Sequence, residues 1–245
     1  MRALVLGAHL DDSVIALGGT LRKIVNAGGE VHVVCFGKSD EDFAEIGDKD
    51  TAAERITAQA VNAHKLLGVS TFECFNYPDY GVQENRETYR LCIESIRKYQ
   101  PEIIFGHYWA EYFQHRAMAR LGCDSWWQAG WSCSADLGAP WVARALYHFE
   151  VIQLLPEPSD IVDISDTFQA KMDAWRCFQS SSEFVDSKFK NGETVRRNYG
   201  STNGSLSEQL ETRARYYGSL IGVEYAEALK RSDFLPRPVR DISLL

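Results

Sequence analysis

Residues 2–13 read RALVLGAHLDDS, and this stretch decides the fold. Residues 2–8 form a short apolar run that a polar cluster ends, which is typical of a buried parallel strand. Asp12 or Ser13 can cap a helix over residues 13–27, and Gly28 with Gly29 ends that helix. Residues 30–36 (EVHVVCF) predict the next strand. This β-α-β unit places residues 8–13 at the carboxyl end of a strand, where open α/β sheets bind their ligands.

Strand and helix patterns continue to alternate through the first half of the chain. The sequence predicts a helix over residues 51–67, a strand over 71–76, a helix over 86–99 and a strand over 102–106. The last strand runs into a polar, His-containing loop, residues 107–115. This alternation predicts an α/β fold: a Rossmann-like, mostly parallel, doubly wound sheet with its active site at the C-terminal ends of the strands.

The second half of the chain is less regular. It holds a Trp-rich segment over residues 122–141, a strand or two over 145–154, and a helix over 163–180. Residues 180–205 are polar and long enough to be a loop or lid. A final helix is predicted over residues 206–231. We expect one domain over 1–245, with a regular β-α-β half (1–121) and a loop-rich half with C-terminal helices (122–245).

Composition excludes several classes of function. A net charge of −8 argues against broad attraction to nucleic acid or to an anionic membrane. No apolar run is long enough for a membrane span. The amino-terminal apolar run is too short for a signal peptide, so we expect a cytoplasmic protein. Six scattered cysteines without a CxxC pair indicate reduced structural thiols rather than a Cys-based zinc site.

The chemistry-bearing side chains at the first strand end are His9, Asp11 and Asp12. Zinc accepts His nitrogen and Asp oxygen ligands, and a catalytic site keeps one position for water. The remaining carboxylate can take a proton from that water. His9 and Asp12 are therefore candidate ligands, and Asp11 is the candidate base. A third ligand should come from another strand end, where His115 is well placed by topology.

Two other interpretations of this cluster remain open at the sequence level. In the first, Asp11 and Asp12 satisfy the free amides and the dipole of a helix N-terminus. In the second, Gly7-Ala8-His9 with Gly18-Gly19 is a degenerate dinucleotide-binding loop. The second is disfavoured, because GxGxxG is missing and two carboxylates would face the pyrophosphate.

The chain resembles the PIG-L/LmbE family of zinc-dependent N-deacetylases. The residues that carry the resemblance are His9-Leu10-Asp11-Asp12-Ser13, Gly18-Gly19-Thr20, Leu67-Gly68-Val69, Tyr77-Pro78-Asp79, Val162-Asp163-Ile164-Ser165 with Lys171, and Gly222-Val223-Glu224-Tyr225-Ala226-Glu227. The ordered set covers nearly the whole chain and is far more specific than any single motif. The resemblance implies a Rossmann-like fold and hydrolysis of N-acetylglucosaminyl compounds or related amides.

The resemblance also implies roles for single residues. His9 and Asp12 match metal ligands, Asp11 matches the general base, and His115 matches the third ligand at the end of the family's later His-Pro-Asp-His motif. The first His and the Asp of that motif are Tyr112 and Gln114 here, and Ser13 replaces an acidic residue. Tyr112 can donate a hydrogen bond to an oxyanion, and His107 or His148 can supply a proton to the leaving amine.

Candidate substrate-binding residues are Asp79, in a Tyr-Pro-Asp-Tyr turn, and Arg55 on the second helix. Each has a simpler interpretation: Asp79 as a residue that only forms the turn, and Arg55 as a solvated residue on a charged helix. The tryptophans of segment 122–141 either stack on a sugar or pack in the core and between subunits of a homo-oligomer. The expected partner is a small, N-acetylated, glycosidic molecule.

The expected activity is hydrolysis of an acetamide by a water activated with Zn²⁺ or another divalent ion, with Asp11 as general base. Two alternatives remain. The same centre can cleave another amide or a thiol-conjugate. The chain can also be a metal-binding family member with weak or no deacetylase activity, for which Tyr112 and Gln114 are the sequence support.

Overall fold

The computed structural model describes residues 1–43, 46–179, 181 and 205–234. Within these residues, seven strands form one sheet in the order β3-β2-β1-β4-β5-β7-β6. Strands β1 to β5 are mutually parallel, whereas β7 runs antiparallel to both β5 and β6. The predicted Rossmann-like, mostly parallel α/β sheet is confirmed. The predicted loop or lid at 180–205 lies outside the described residues apart from its two positions 181 and 205.

The elements of the first half follow the sequence pattern closely. They are β1 (Arg2–Gly7), α1 (Asp12–Asn26), β2 (Glu30–Gly37), α2 (Lys49–Leu67), β3 (Thr71–Tyr77), α3 (Arg86–Tyr99) and β4 (Ile103–His107). Their ends carry recognisable signals. Asn85 caps α3 by accepting the backbone N–H groups of Glu87 and Thr88, and Gly68 ends α2 in the left-handed region at φ 78°.

The second half departs from the sequence prediction. A helix that was not predicted, α4 (Phe113–Ala129), begins inside the expected loop 107–115 and continues into the Trp-rich segment. Strand β5 (Ala145–Phe149) is followed by β6 (Asp160–Asp163) and by α5 (Phe168–Trp175), which is shorter than the predicted helix over 163–180.

The predicted final helix over residues 206–231 is wrong in its last part. Helix α6 (Leu206–Ile221) ends at Gly222, which adopts φ 75°, and β7 (Ala226–Arg231) follows as an antiparallel strand. Residues 226–231 (AEALKR) have helix-forming side chains, so local propensity favours the wrong element. Pairing with β5 and β6 on both sides outweighs that propensity.

Helices cover both faces of the sheet. One apolar core lies under α1, α2, α5 and α6 and includes Leu17, Ile56, Trp175 and Leu210. A second core lies under α3 and α4. Of the four tryptophans between 126 and 141, Trp126 is buried, and Trp127 and Trp131 are exposed and contact each other. No helix in the described part of the chain has the length and apolarity that a membrane crossing requires.

Three motifs distant in sequence meet in one buried contact between α1, α5 and β7. The Glu227 carboxylate accepts the backbone N–H groups of Gly19 (3.0 Å) and Thr20 (2.8 Å) and pairs with Lys171 at 2.6 Å. A Cβ atom at Gly19 would lie 2.7 Å from Ile164. The glycine therefore permits close packing of α1 against Ile164.

Candidate metal centre

The candidate site lies where the strand order reverses, between the neighbouring parallel strands β1 and β4. His9 follows the carboxyl end of β1, and His107 is the last residue of β4. His115 lies in the first turn of α4, which begins beyond β4. This is the position at which open α/β sheets form their ligand crevice.

Three ligand atoms face one another in this crevice. His115 Nε2 lies 3.1 Å from His9 Nδ1 and 3.4 Å from Asp12 Oδ1. Zinc bonds of about 2.0–2.1 Å in tetrahedral geometry put neighbouring ligand atoms about 3.3–3.4 Å apart. These two separations are close to those values, and two nitrogens with one oxygen are a donor set that zinc accepts. The residues present therefore fit a zinc ion.

Asp12 is held in place by the turn that precedes it. Its Oδ2 accepts the backbone N–H groups of Ala8 (3.0 Å) and His9 (2.7 Å), both upstream of helix α1. Asp11 is the N-cap residue of α1 but forms no side-chain cap hydrogen bond. The interpretation of these two carboxylates as helix caps is therefore not supported, and Asp12 Oδ1 remains turned toward His115.

The outer nitrogens of the two histidines have different partners. His115 Nδ1 lies 2.5 Å from Glu111 Oε2. His9 Nε2 lies 2.8 Å from the side-chain amide nitrogen of Gln114. Outer contacts of this kind fix the ring orientation and the tautomer of metal-binding histidines. One histidine is thus backed by a carboxylate and the other by a neutral amide.

The Gln114 side-chain amide contacts both Val82 and His9, and these two contacts conflict when His9 binds a metal. Its Oε1 accepts the Val82 backbone N–H at 3.3 Å, so its nitrogen donates toward His9 Nε2. That arrangement favours the His9 tautomer with its proton on Nδ1, whereas a metal at Nδ1 requires the proton on Nε2. For metal binding, the amide has to turn and give up the bond from Val82. A carboxylate at position 114 would accept both N–H groups without this conflict.

Asp11 and His107, both expected to act in catalysis, lie in different surroundings. Burial, together with the charges of Asp12 and Asp42, raises the pKa of Asp11 to about 7. His107 has no exposed surface, and its Nε2 lies 2.9 Å from the Ala8 amide nitrogen and 3.1 Å from Asp12 Oδ2. This position behind Asp12 favours a supporting role for His107 over proton donation to a substrate.

Tyr112 stands at the open side of the site. It is the N-cap residue of α4 and is 43% exposed. Its ring lies 4.7 Å from the His115 ring and 6.1 Å from the His9 ring, measured between centroids. A phenol in this place can reach a substrate that approaches the two histidines.

The two expected substrate-binding residues differ in the contacts that connect them to the site. Burial lowers the pKa of His9, but the Asp12 carboxylate, with a smaller contribution from Asp79, raises it above its usual value. Among the described residues, Asp79 Oδ1 is buried without a hydrogen-bond partner. Arg55 Nη1 lies 3.8 Å from Asp48. Asp79 thus acts directly on a proposed ligand, whereas Arg55 pairs with Asp48 at the start of its own helix and its charge acts on Asp42.

Two contacts around the site escaped the sequence analysis. Glu111 carries no recognisable motif, and only its i,i+4 spacing to His115 on the chain hints at a contact. Ser13 Oγ lies 2.7 Å from His64 Nε2, and His64 Nδ1 lies 2.7 Å from the Ala60 carbonyl oxygen. Because a carbonyl only accepts, His64 donates from Nδ1 and Ser13 donates to Nε2. Ser13, which stands where the family has an acidic residue, thus donates its hydroxyl proton to a buried, neutral His64.

Comparison with known proteins gives one family match, over residues 4–125, described as GlcNAc-PI de-N-acetylase (PIG-L). The diacetylchitobiose deacetylase of Thermococcus kodakarensis is 26% identical over 240 residues, which cover 94% of this chain and 82% of that protein. The 4-oxalmesaconate hydratase of Pseudomonas putida is 31% identical over 115 residues, 43% of each chain.

A similar fold is found in a solved structure, the N,N'-diacetylchitobiose deacetylase of Pyrococcus horikoshii in complex with its inhibitor. Its TM-score is 0.78 at 23% identity, and the superposition covers 100% of this chain and 88% of that chain. The family match spans all three proposed ligand residues, but not β5, β6, β7, α5 or α6.

Proposed function

Because the chain belongs to the PIG-L family, we propose that it is a zinc-dependent hydrolase that removes the N-acetyl group from a small molecule containing an amino sugar. The observation that carries the proposal is the convergence of His9 Nδ1, Asp12 Oδ1 and His115 Nε2 at the separations of zinc ligands. Relatives that deacetylate N-acetylated sugars support the choice of substrate.

His9, Asp12 and His115 would hold the zinc ion. When bound, zinc supplies a Lewis acid that polarises the acetamide carbonyl and makes water more acidic. Three protein ligands leave one position for water or substrate, as catalytic zinc sites require. The remaining steps fall to side chains of this chain.

Asp11 is the proposed general base. Its carboxylate takes a proton from the attacking water, whose oxygen forms the new bond to the acyl carbon. Its raised pKa, caused first by burial and then by Asp12 and Asp42, allows it to keep that proton and return it to the nitrogen as the C–N bond breaks. Tyr112 donates a hydrogen bond to the negative charge that develops on the acetamide oxygen. Acetate and a free amine leave.

Charge around the site favours a neutral substrate. The Asp79 carboxylate acts on His9. Burial, with a smaller contribution from Asp79, raises the pKa of Asp42 to about 6 against the opposing effects of the Ser181 hydrogen bond and of His9 and Arg55. Carboxylates such as Asp79 accept hydrogen bonds from sugar hydroxyls, and Asp79 Oδ1 has no other described partner. An anionic substrate would instead meet repulsion from these groups.

A second candidate function is hydration of a carbon–carbon double bond in an unsaturated carboxylic acid. The 31% identity to 4-oxalmesaconate hydratase over 115 residues favours it. The same centre would deliver water and a proton, but the substrate would be an anion. The acidic surroundings of His9 therefore place this function behind deacetylation.

The two functions can be separated in one experiment. Zinc content of the purified protein is measured by metal analysis, and acetate release is assayed over a panel of N-acetylated sugars. Hydration is followed by loss of absorbance of a conjugated dienoate. We expect stoichiometric zinc, acetate release from at least one sugar, and no hydration. Stoichiometric zinc without acetate from any amide would contradict the deacetylase proposal, and dienoate hydration would replace it.

The role of Asp11 has its own test. Asp11→Asn should lower kcat for acetate release by about a hundred-fold to ten-thousand-fold, since a general base contributes on this scale. Zinc content should stay at the wild-type level, because Asp11 is not a proposed ligand. Asp124→Asn, an exposed aspartate on α4, is the control and should leave both unchanged. Loss of zinc in Asp11→Asn would reassign Asp11 as a ligand.

A further inference from the structure

The Glu111 carboxylate is fully buried beside the proposed metal centre, and both its oxygens are used. Oε2 lies 2.5 Å from His115 Nδ1. An ionised carboxylate only accepts hydrogen bonds, so the proton on His115 is at Nδ1. Nε2 is then the ring nitrogen that faces Asp12 and His9 and that a metal would bind.

The second oxygen of Glu111 is held by a turn after β5. Oε1 accepts the backbone N–H groups of Val151 at 2.6 Å, Ile152 at 2.7 Å and Gln153 at 3.3 Å. Successive amides that converge on one oxygen form an anion-binding nest. Burial works to raise the pKa of Glu111, but the hydrogen bond and charge of His115, the charge of His107 and the Val151 amide hold it below the usual value.

The same turn is fixed from its other side by helix α6. The Arg213 guanidinium donates to the carbonyl oxygens of Val151 (2.7 Å) and Ile152 (3.2 Å). The turn 151–153 therefore lies between two charged groups. The Arg213 guanidinium donates to its carbonyl oxygens, and the Glu111 carboxylate accepts its N–H groups. Each charge orients the peptide dipoles favourably for the other.

We infer that Glu111 is a positioning residue that sets the tautomer and orientation of His115, and that residues 151–153 with Arg213 complete its anchoring. The inference rests on the proposed metal centre. It adds a contact chain of α6, the turn 151–153, Glu111 and His115 to the site, so that the C-terminal part of the protein determines how tightly the metal is held.

A second metal position at this cluster is not supported. His107, Glu111 and His115 also form a group with suitable ligand atoms. The oxygens of Glu111, however, already accept four hydrogen bonds, one from His115 and three from the turn. A metal at His115 Nδ1 would remove the first of these and leave the ring nitrogen unable to donate.

The test compares two buried glutamates. Glu111→Gln keeps the shape of the side chain but removes its charge. Zinc affinity, measured by competition with a chromophoric chelator, should fall about ten-fold to a hundred-fold, the usual effect of losing an outer partner of a ligand. Glu227→Gln is the control. Glu227 is equally buried, also accepts backbone amides and pairs with a cation, but has no contact with His115. It should lower the melting temperature without changing zinc affinity.

Further measurements keep the inference falsifiable. Nitrogen-15 NMR of the metal-free protein should find His115 protonated at Nδ1 in the wild type, with that proton signal shifted or lost in Glu111→Gln. If Glu111→Gln does not fold, Arg213→Lys serves instead, with an expected loss of several-fold in zinc affinity. Wild-type zinc affinity in Glu111→Gln, or an equal loss in Glu227→Gln, would overturn the inference.

Failure of the inference differs from failure of the proposed function. Zinc binding that depends on Glu111, with no acetate release from any substrate, would leave the inference intact and remove the deacetylase proposal. Acetate release with a zinc affinity that does not depend on Glu111 would support the deacetylase proposal and overturn the inference. A wild-type protein that binds no zinc would overturn both.

Discussion

The two segments that supply the proposed ligands are stabilised in different ways. The first segment, residues 8–12, is ordered largely by its own contacts, because Asp12 accepts the amides of Ala8 and His9 only three and four residues away, with His107 as a further partner of the Ala8 amide. The second segment, residues 107–115, depends on distant groups. Its Glu111 is held by residues 151–153, about forty residues further along the chain. A short local motif can therefore specify the first half of a site, whereas the second half is specified by the tertiary fold.

The largest expected effect comes from removing a ligand from either segment. His9→Ala and His115→Ala should each weaken zinc binding by more than about a hundred-fold, since losing a ligand costs more than losing its outer partner. Acetate release should fall to background in both. His32→Asn is the control, because His32 bonds to Thr71 on the neighbouring strand. Metal analysis after dialysis measures the effect, and zinc retention in His115→Ala would remove the second segment from the site.

The Ser13–His64 hydrogen bond lies directly after the first segment, and its contribution to stability should depend on pH. Burial lowers the pKa of His64 to about 4, against about 6.5 in the unfolded chain. The unfolded state therefore binds a proton first as the pH falls. Stability should be complete above about pH 6.5 and decrease by about 3 kcal/mol as the pH falls to about 4.

Urea unfolding at pH 7.5 and at pH 4.5 measures this loss of stability. His64→Gln removes the titrating group, so the free energy of unfolding of this variant should decrease less between pH 7.5 and pH 4.5 than that of the wild type. An equal decrease in the wild type and in His64→Gln would assign the pH dependence to other residues.

The smallest expected effect concerns the difference between the outer partners of the two histidines. Gln114→Glu would give His9 a carboxylate partner like the one that His115 has in Glu111. The new carboxylate can accept both the Val82 amide and His9 Nε2–H, so zinc affinity should rise, by up to about ten-fold. Competition with a chelator measures the change. Weaker binding would mean that the amide at position 114 is not the limiting contact.

The sequence predicts the first half of the fold because its signals are local. Strands β1 to β4 and helices α1 to α3 have clear apolar patterns and end signals such as Gly68. His9 and Asp12 could be recognised because they lie within four residues at a strand end. The placement of His115 required the family resemblance, since the motif around it is altered.

The remaining features depend on contacts that local patterns do not carry. The sequence does not predict helix α4, because small, polar and aromatic residues follow one another without a clean helical period over 113–129. The sequence predicts helix where β7 lies, because the partners that make it a strand, β5 and β6, lie far away in the chain. Glu111 and its three amides come from separate elements, so their contact exists only in the folded chain.

The proposed ligands and the groups that hold them in place lie in different parts of the chain, and this has a consequence for chimeras between relatives. Residues 4–125 contain every proposed ligand, yet the turn that holds Glu111 and the arginine that holds the turn lie beyond them. A chimera joined after residue 125 would inherit its ligands from one parent and their support from the other. Parents that share the ligand motif but differ at this turn would be incompatible at the junction, and the site would be inherited as a unit only with the C-terminal half.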